Sequence, residues 1–278
     1  MESNTTTTWQ VRHITSQFLP LPFGFAPLTA GQPYLPCRGV SRIPADACSL
    51  IICLFPYYTG PFNGRNISRY AMVEDYHSVA GRLLNHLVEN LRDAFPNHAF
   101  VPFVDNSPLR EVSCAQAAGL GVIGKNGLLI HPVYGSYVFI GEIVTNLPLI
   151  PSIPLTGGCL GCNACLRACP NGALCATGVD LPLCRSHITQ KKRDFTSFDQ
   201  EQVRLGGLVW GCDICTDSCP MNRHAPITPL AAFAASAVPV ITAENALSLL
   251  PSRAYGYRGK KVILRNLAII NGKAVDLP

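Results

Sequence analysis

Apolar and polar residues follow one another along this chain in periods that predict both helices and strands. The segment from Cys48 to Phe55 is continuously apolar, which is typical of a strand covered on both faces. Between Asp75 and Phe95 apolar residues recur every three or four positions, which predicts an amphipathic helix that Pro96 ends. Residues 99–104 predict the next strand. Residues 1–22 have little periodicity, so we expect an irregular arm there.

Weaker patterns predict the remaining elements. A helical pattern at residues 109–118 closes on Gly119, a residue suited to the left-handed position after a helix. Short strands are expected at 23–28, 127–131 and 136–145, with residues 132–135 joining the last two, and helices at 242–250 and 259–270.

Proline and glycine are dense between Pro148 and Gly158, which indicates a domain boundary. We expect an α/β domain at residues 1–155, a cysteine-rich domain at 156–225 and a helical tail at 226–278. The predicted fold class is therefore mixed, α+β or α/β.

Composition bounds the class of protein. Of the 278 residues, 48% are hydrophobic and 14% are charged, so the chain is too apolar to be disordered. It contains no run of about 18 apolar residues, and its amino terminus lacks the features of a secretion signal. The 13 cysteines are odd in number, which favours a reducing compartment over a disulfide framework. We therefore expect no membrane partner and a cytoplasmic location.

The cysteines carry the strongest chemical signal. A 4Fe-4S cluster needs four thiolates around one cubane, and three cysteines spaced by two residues supply three of them. In the bacterial ferredoxin pattern the cysteine before proline binds the other cluster, so two such stretches predict two interlocked 4Fe-4S clusters. The stretches are Cys159-x-x-Cys162-x-x-Cys165-x-x-x-Cys169-Pro170 and Cys212-x-x-Cys215-x-x-x-Cys219-Pro220.

The second stretch lacks one cysteine, and Cys184 is the best placed to replace it, with Cys175 as the competitor. Structural zinc is the alternative metal, but a zinc site closes with two separated pairs and needs no third cysteine at the next interval. Cluster one would take Cys159, Cys162, Cys165 and Cys219, and cluster two would take Cys169, Cys184, Cys212 and Cys215.

The formal net charge of +5 is weak evidence for a nucleic-acid partner. Each oxidised cluster with four thiolates adds about two negative charges, so a loaded chain would carry about +1. Two basic groups remain candidates to meet RNA phosphates, Lys191–Arg193 and Arg258 with Lys260 and Lys261.

Several further signatures stand in one order along the chain. They lie between residues 46 and 225 and are Ser68-Arg-Tyr-Ala71, Asp75-Tyr-His77, Phe103-Val-Asp105-Asn-Ser-Pro108, Ala118-Gly-Leu-Gly121, Gly124-Lys125, Gly135-Ser136, Gly141-Glu142, Cys184-x-Ser186-x-x-Thr189 and Gly211-Cys-Asp213. Together with the cysteine motifs, these stretches make the chain resemble the epoxyqueuosine reductase family, the cobalamin and iron–sulfur enzymes that finish queuosine in transfer RNA.

The resemblance implies a first domain that holds cobalamin, a cluster domain that feeds it electrons, and an aspartate that donates a proton as the epoxide opens to an alkene. The matching aspartate is Asp105. Its neighbours Phe103, Val104 and Pro108 predict partial desolvation, which would raise its pKa and suit a general acid. The alternative is that Asp105 caps the helix predicted to begin near Leu109.

The resemblance also implies cofactor-binding residues, namely Arg69, Tyr70, Ser107, Lys125, Glu142, Ser186, Gly211 and Asp213. Two departures from the family bear on the substrate. Val122 stands where the family has tryptophan, and the segment ahead of Cys48 is shorter. Because the Arg69, Asp105 and Gly141-Glu142 stretches are present, we expect cobalamin binding to persist. Because the segment ahead of Cys48 is shorter, we expect recognition of full-length tRNA to be weakened or altered.

Three functions fit these patterns. The first is a cobalamin-dependent reductase acting on epoxyqueuosine in tRNA or a related molecule, served by an external electron donor such as flavodoxin or ferredoxin. The second is a polyferredoxin-like electron carrier, which would need neither the Asp105 loop nor a large domain ahead of the clusters. The third, a zinc-stabilised RNA-binding module, rests on the basic groups alone.

Overall fold

The strands of the structure coincide with most of the predicted runs. This computed structural model describes residues 2–175 and 178–273. Its strands are β1 (Phe23–Pro27), β2 (Ser49–Pro56), β3 (Phe100–Val104), β4 (Val122–Ile123), β5 (Leu129–Ile130), β6 (Val138–Thr145), β7 (Leu174–Cys175) and β8 (Gly178–Val179). The main sheet has the order β1-β2-β6-β3, and each neighbouring pair is antiparallel. The mixed fold class is confirmed, and the antiparallel pairing makes this part of the chain α+β.

Strand β2 lies inside the sheet, and all of its residues are buried. Successive side chains of a strand point to opposite faces. Ile51 and Phe55 accordingly lie in the apolar core on one face, and Leu50 and Leu54 lie in the core on the other. The prediction of a strand covered on both faces is confirmed.

The helices pack on both faces of this sheet and continue into the second half of the chain. They are α1 (Glu2–Phe18), α2 (Arg69–Met72), α3 (Tyr76–Ala94), α4 (Glu111–Ala117), α5 (Ala164–Ala168), α6 (Arg185–Gln190), α7 (Ser197–Gly206), α8 (Ile214–Asp217), α9 (Ala231–Ser236), α10 (Ala246–Leu249) and α11 (Lys260–Ile270). Helix α3 is the predicted amphipathic helix, and it buries Leu84, Leu87 and Leu91 against the sheet.

The irregular arm predicted for residues 1–22 is wrong, because residues 2–18 form helix α1. The threonine-rich start has low helix propensity and masks the period. Val11 and Thr15 are nonetheless fully buried one turn apart, and Val11 belongs to the same core as α3. Packing of this narrow face against the sheet outweighs the propensity of the exposed residues.

The two strands expected at residues 127–131 and 136–145 are both present, but they belong to different sheets. Strand β5 pairs with β4, whereas β6 lies between β2 and β3. Gly121 explains the difference, because a Cβ at this position would lie 2.6 Å from the carbonyl oxygen of Ile130. Only glycine lets the chain approach β5 so closely.

A third apolar core joins the segment after β2 to the second half of the chain. It contains Ile67 and Met72 from the first part, Trp210 from the cysteine-rich part, and Tyr255 and Val262 from the tail. The three parts therefore share one packed interior. No helix within residues 2–175 and 178–273 combines the length and apolar character needed to cross a membrane.

Candidate active site and cluster cavities

A cleft of about 610 Å³ lies where the sheet, the cysteine-rich segment and the tail meet. All three parts contribute to its wall, so the cleft exists only when they are packed together. The sheet domain contributes Tyr70, Tyr76, His77, Asp105 and Asn106, the cysteine-rich segment contributes Gln190 and Trp210, and the tail contributes Ala254 and Tyr257.

The first turn of α3 builds the polar wall of the cleft. Asp75 is the N-cap residue, and its Oδ1 accepts hydrogen bonds from the backbone N–H of His77 at 3.1 Å and from His77 Nδ1 at 2.7 Å. The other ring nitrogen, Nε2, lies 3.2 Å from Asp105 Oδ2. Tyr76 OH donates to the same oxygen at 2.8 Å. One capping carboxylate thus starts the helix and aims the imidazole at Asp105.

The two carboxylates stabilise the protonated form of His77. Hydrogen bonds to Asp105 and then to Asp75 raise the pKa of His77 to about 9. The bond from His77 lowers the pKa of Asp105 to about 2, although burial opposes this and the Asn106 N–H and Tyr76 hydroxyl assist it. At neutral pH the two residues therefore form an imidazolium–carboxylate pair, in which His77 carries the proton.

The raised pKa predicted for Asp105 is wrong. Its side chain is 57% exposed, so desolvation by its apolar neighbours is outweighed by the hydrogen bonds it accepts. The alternative role as a helix cap is also absent. Arg110 is the N-cap residue of α4, and Asp105 Oδ1 instead accepts from the N–H of Asn106 at 2.7 Å.

Residues 105–108, which we call the Asp105 loop, leave β3 in an uncommon conformation. Asp105 and Asn106 have φ angles of 52° and 45°, in the left-handed region that residues other than glycine seldom adopt. Behind them Ser107 Oγ donates a hydrogen bond to Glu142 Oε2 and accepts one from the N–H of Leu109 at 3.1 Å. The loop is thus fastened to the buried side chain of a β6 residue.

Glu142 lies in an acidic group behind the Asp105 loop. Burial raises the pKa of Glu142 to about 7. Burial and the proximity of Glu142 raise the pKa of Glu111 to about 8. Glu111 and Ser107 line a separate cavity of about 390 Å³ behind the loop. Neither Ser107 nor Glu142 lines the cleft, and their contact with cobalamin stays a prediction.

Salt bridges join the segment around α2 to the second cysteine stretch. Arg65 lies 2.7 Å from Asp213 Oδ2 and 2.8 Å from Asp217 Oδ2, and Arg69 Nε lies 2.9 Å from Asp217 Oδ1. Burial raises the pKa of Asp213 to about 6, although Arg65 opposes the rise. Arg69 and Asp213, both predicted to contact the cofactor, lie outside the cleft wall and connect two parts of the chain, so their contact with the cofactor stays a prediction.

Close backbone packing tightens the same junction. The N–H of Ser68 donates to Trp210 O at 2.9 Å, and Trp210 Nε1 donates to Tyr70 OH at 2.6 Å. Gly211 has a φ of 75°, and a Cβ there would lie 2.1 Å from Ser68 Oγ, so only glycine fits. Trp210 lines the cleft and Cys212 lines a cysteine cavity. Their Cα atoms are at most about 7 Å apart, because two residues of chain span no more.

The cysteines of the two stretches surround two separate cavities. The set predicted for cluster one lines the first cavity, and the set predicted for cluster two, Cys184 included, lines the second. Cys175 lies in the β7–β8 ribbon outside the second cavity, with its Sγ 3.4 Å from Gly178 O. The two sets are Cys159, Cys162, Cys165 and Cys219, and Cys169, Cys184, Cys212 and Cys215.

Four cysteines around an open cavity suit a polyatomic cluster. Each iron of a cubane takes one thiolate, whereas the ligands of zinc meet at a single ion. In the part of the chain that the structure describes, no group of three or more His, Cys, Asp or Glu side chains converges closely enough to hold one metal ion.

Lys125 and Ser186, which were predicted to be cofactor-binding residues, do not line the cleft. Lys125 lines the first cysteine cavity, and its Nζ donates to Asn163 Oδ1 at 2.6 Å. Ser186 Oγ accepts a hydrogen bond from Gln190 Nε2 at 3.5 Å, one turn along α6. Ser186 therefore supports Gln190, which does line the cleft.

Several residues of the cleft were not named as site residues from the sequence. The sequence contained a signal for Tyr76 and His77, because they directly follow Asp75, the N-cap residue of the most clearly periodic helix. Trp210 had a weaker one, because it precedes the second cysteine stretch. Gln190 and Tyr257 had none, since only the packing of the tail brings them to the cleft.

Comparisons with known proteins agree with these features. Residues 40–106 match the family model "Epoxyqueuosine reductase QueG, DUF1730", and residues 158–222 match "4Fe-4S double cluster binding domain". An epoxyqueuosine reductase of Synechocystis sp. is 38% identical over 204 residues, which cover 70% of this chain and 70% of the relative. The chain belongs to the epoxyqueuosine reductase family. Another epoxyqueuosine reductase, from Listeria monocytogenes, is 36% identical over 212 residues, which cover 73% of this chain and 55% of the relative. The chain thus spans little more than half the length of that family member.

Solved structures of epoxyqueuosine reductases share the fold. The enzyme from Streptococcus thermophilus has a TM-score of 0.78 at 25% identity, covering 94% of this chain and 80% of its own. The crystal structure of an epoxyqueuosine reductase with an epoxyqueuosine-modified tRNA stem loop has a TM-score of 0.78 at 23% identity, covering 94% and 81%. A reductive dehalogenase with a B12-dependent mechanism has a TM-score of 0.50 at 15% identity, covering 95% and 38%. The last two are similarities of fold alone.

Proposed function

We propose that this chain reduces the epoxide of epoxyqueuosine in tRNA to an alkene, with two 4Fe-4S clusters and a cobalamin as its cofactors. The observation that carries the proposal is the composition of the cleft. A proton-bearing pair, His77 and Asp105, lines the same cleft as Trp210. Trp210 is two residues from Cys212, which lines the second cysteine cavity. Membership of the epoxyqueuosine reductase family supports the proposal.

The reaction sets what the cleft must supply. Opening an epoxide to an alkene releases the oxygen as water and takes up two electrons and two protons. Two 4Fe-4S clusters that each change by one electron match that electron count. The polar wall of the cleft must then provide for the protons.

The two sets of cysteines fit the two clusters. Each cavity is lined by four thiol groups, which is the ligand set of a 4Fe-4S cluster. Burial raises the pKa of Cys212 to about 11, so iron must displace a proton to take this thiolate.

The cleft also fits a large flat macrocycle. Its volume is about 610 Å³, and the aromatic rings of Tyr70, Trp210 and Tyr257 form part of its wall. We propose that these side chains hold the corrin ring of a cobalamin. When bound, the group supplies a cobalt centre that transfers electrons to the substrate.

His77 and Asp105 act together on the proton in this proposal. A carboxyl group with a pKa of about 2 is a poor donor at neutral pH. The His77 imidazolium has a pKa of about 9 and carries a proton on Nε2, which lies 3.2 Å from Asp105 Oδ2. Asp105 then relays this proton towards the epoxide oxygen. Tyr76 orients the carboxylate through its hydrogen bond to Oδ2.

A polyferredoxin-like electron carrier is the second candidate, because the two cysteine cavities alone would suffice for it. It gives no role to the cleft or to the His77–Asp105 pair. We also propose that flavodoxin or ferredoxin reloads the clusters in the cytoplasm. Beside the first cavity Cys162 is exposed and Leu160 is 66% exposed, which offers such a donor a short approach.

Nucleoside analysis tests the proposal against the carrier. The cluster-loaded chain is incubated anaerobically with cob(II)alamin, a chemical reductant and epoxyqueuosine-bearing tRNA. The tRNA is then digested, and its nucleosides are identified by mass spectrometry. We expect conversion to queuosine that requires both cobalamin and reductant. Unchanged epoxyqueuosine, with clusters and cobalamin fully loaded and electrons still passed to a dye, would favour the carrier.

A further inference from the structure

A second concave site lies next to the cleft, in the turn after α6. This basic pocket has a volume of about 380 Å³, and none of its lining residues has a carboxylate. It is lined by His187, Gln190, Lys191, Lys192, Arg193 and Arg258.

Most of the positive charge in the basic pocket is unpaired. Lys191 is the exception, because its ammonium forms a salt bridge with the buried carboxylate of Asp199 at 2.8 Å. Within residues 2–175 and 178–273, no carboxylate lies within salt-bridge distance of Lys192, Arg193 or Arg258. Three cations at one concave site repel one another, so their arrangement is favoured when an anion is bound.

Arg258 is less exposed than Lys192 and Arg193. Its guanidinium lies 4.8 Å from the ring centre of Tyr257, and its Nε is buried without a hydrogen-bond partner in the described part of the chain. A buried donor without an acceptor is costly. The planar guanidinium matches the oxygen pairs of a phosphate, which would supply the acceptors this residue lacks.

The basic pocket and the cleft share a wall. Gln190 lines both, and its Oε1 accepts a hydrogen bond from Tyr257 OH at 3.1 Å. The Tyr257 ring is 62% exposed and also lines the cleft. An exposed ring beside unpaired cations is the combination that binds a base and its neighbouring phosphate in single-stranded RNA.

We infer that the basic pocket binds a backbone phosphate of the RNA strand next to the nucleotide in the cleft, with Tyr257 stacking on a neighbouring base. The inference rests on the proposed function, because it takes the RNA as the molecule whose nucleoside enters the cleft. The same phosphodiester chemistry occurs in the nucleotide tail of cobalamin, so the test must separate the two sources.

The test compares variants of the cluster-loaded full chain. Binding of an unmodified tRNA stem-loop is followed by fluorescence anisotropy at several salt concentrations, and cob(II)alamin binding is titrated separately. The variants are Arg258→Gln, Arg258→Lys and the double variant Lys192→Gln with Arg193→Gln. Arg204→Gln is the matched control, since Arg204 is an exposed arginine of α7 that is paired with Glu201 outside the pocket.

We expect Arg258→Gln to weaken RNA binding about tenfold and to lower the slope of log K against log salt by about one unit. Arg258→Lys should recover part of the affinity, and the double variant should lose about two units of slope. Iron content and melting temperature identify any variant that is merely misfolded. The double variant changes two exposed residues, so it still tests the inference if an Arg258 variant misfolds.

Three results would overturn the inference. RNA affinity and salt slope equal to those of the wild type in the double variant would exclude a phosphate contact. Lost cobalamin binding with intact RNA binding would assign the basic pocket to the cobalamin tail. An equal loss in Arg204→Gln would mean that general charge is responsible. Failure of the proposed function looks different, because the wild type would then leave even free epoxyqueuosine nucleoside unreduced.

Discussion

His77 lies between two carboxylates, with Asp75 at Nδ1 and Asp105 at Nε2. Loss of either member of the proton-bearing pair should therefore stop proton delivery. We expect Asp105→Asn and His77→Gln each to lower turnover by a factor of about a hundred or more, the scale of general acid catalysis. Iron content and cobalamin binding should stay at wild-type values. Tyr76→Phe is the matched control, since it removes one hydrogen bond to Asp105 and leaves the proton in place. Wild-type turnover in Asp105→Asn would exclude the relay.

The pH dependence of turnover tests the same pair. The pKa of His77 is raised to about 9, so the imidazolium is present at neutral pH and is lost as the pH rises through that value. Turnover should therefore fall above about pH 9. Asp75→Asn removes one of the two carboxylates while asparagine still caps α3, so it should move this fall to lower pH. A pH profile that is identical in the wild type and in Asp75→Asn would show that His77 is not the titrating group.

The roles of some single residues can be predicted from the sequence, and those of others cannot. The grouping of the cysteines follows from spacing, because each thiolate set comes from fixed intervals along the chain. The proton affinity of Asp105 does not follow from its neighbours in sequence. It depends on His77, 28 residues earlier, which only the packing of α3 on the sheet brings to the carboxylate.

Strand β6 carries Glu142 into the interior, and this has a measurable consequence for stability. Burial raises its pKa from 4.5 to about 7, so the unfolded chain gives up this proton more readily than the folded one. The contribution of the neutral carboxyl is full below about pH 4.5, falls as the pH rises towards about 7 and is lost above it. Glu142→Gln cannot titrate, and it should flatten the decrease of melting temperature over this range.

Glu89→Gln is the control for Glu142, because Glu89 is 73% exposed on α3. It should leave the slope of melting temperature against pH unchanged. If Glu142→Gln has the same slope as the wild type, the buried carboxyl does not titrate in this range.

Elements were predictable where a long apolar pattern is buried in the core. Strand β2 and helix α3 each present long apolar patterns to the sheet core, and both were found within two residues of their predicted bounds. Helix α1 was missed because only a narrow face, including Val11, is buried. The β4–β5 pair was missed because it depends on the close approach at Gly121, which no periodicity reveals.

At the scale of the whole molecule, the cleft arises from three parts of the chain that share one core. The sequence separates these parts by composition, but it holds no pattern that predicts how Trp210 packs against Tyr70 and Tyr255. The polar wall, the aromatic wall and the second cysteine cavity meet only through this packing. The grouping of the cysteines around two cavities was therefore predictable, and the shape of the cleft was not.

The interlocked cysteine sets make a prediction about iron content. Cys184→Ala removes one ligand of the second set only, so it should lose up to about half of the iron and sulfide and keep the spectrum of the first cluster. Cys175→Ala is the matched control, because Cys175 lies outside that cavity, and it should keep the full content. The reverse result would exchange the roles of the two cysteines.

A single-turnover experiment tests most directly the claim that cluster electrons reduce an epoxide in the cleft. The chain, loaded with clusters and cobalamin, is reduced and freed of excess reductant. It is then mixed anaerobically with epoxyqueuosine-bearing tRNA while cluster absorbance and nucleoside content are followed together. The account predicts that the clusters reoxidise and that about one queuosine forms for every two electrons they lose, since each cluster holds one electron. Clusters that stay reduced beside unchanged epoxyqueuosine would contradict it.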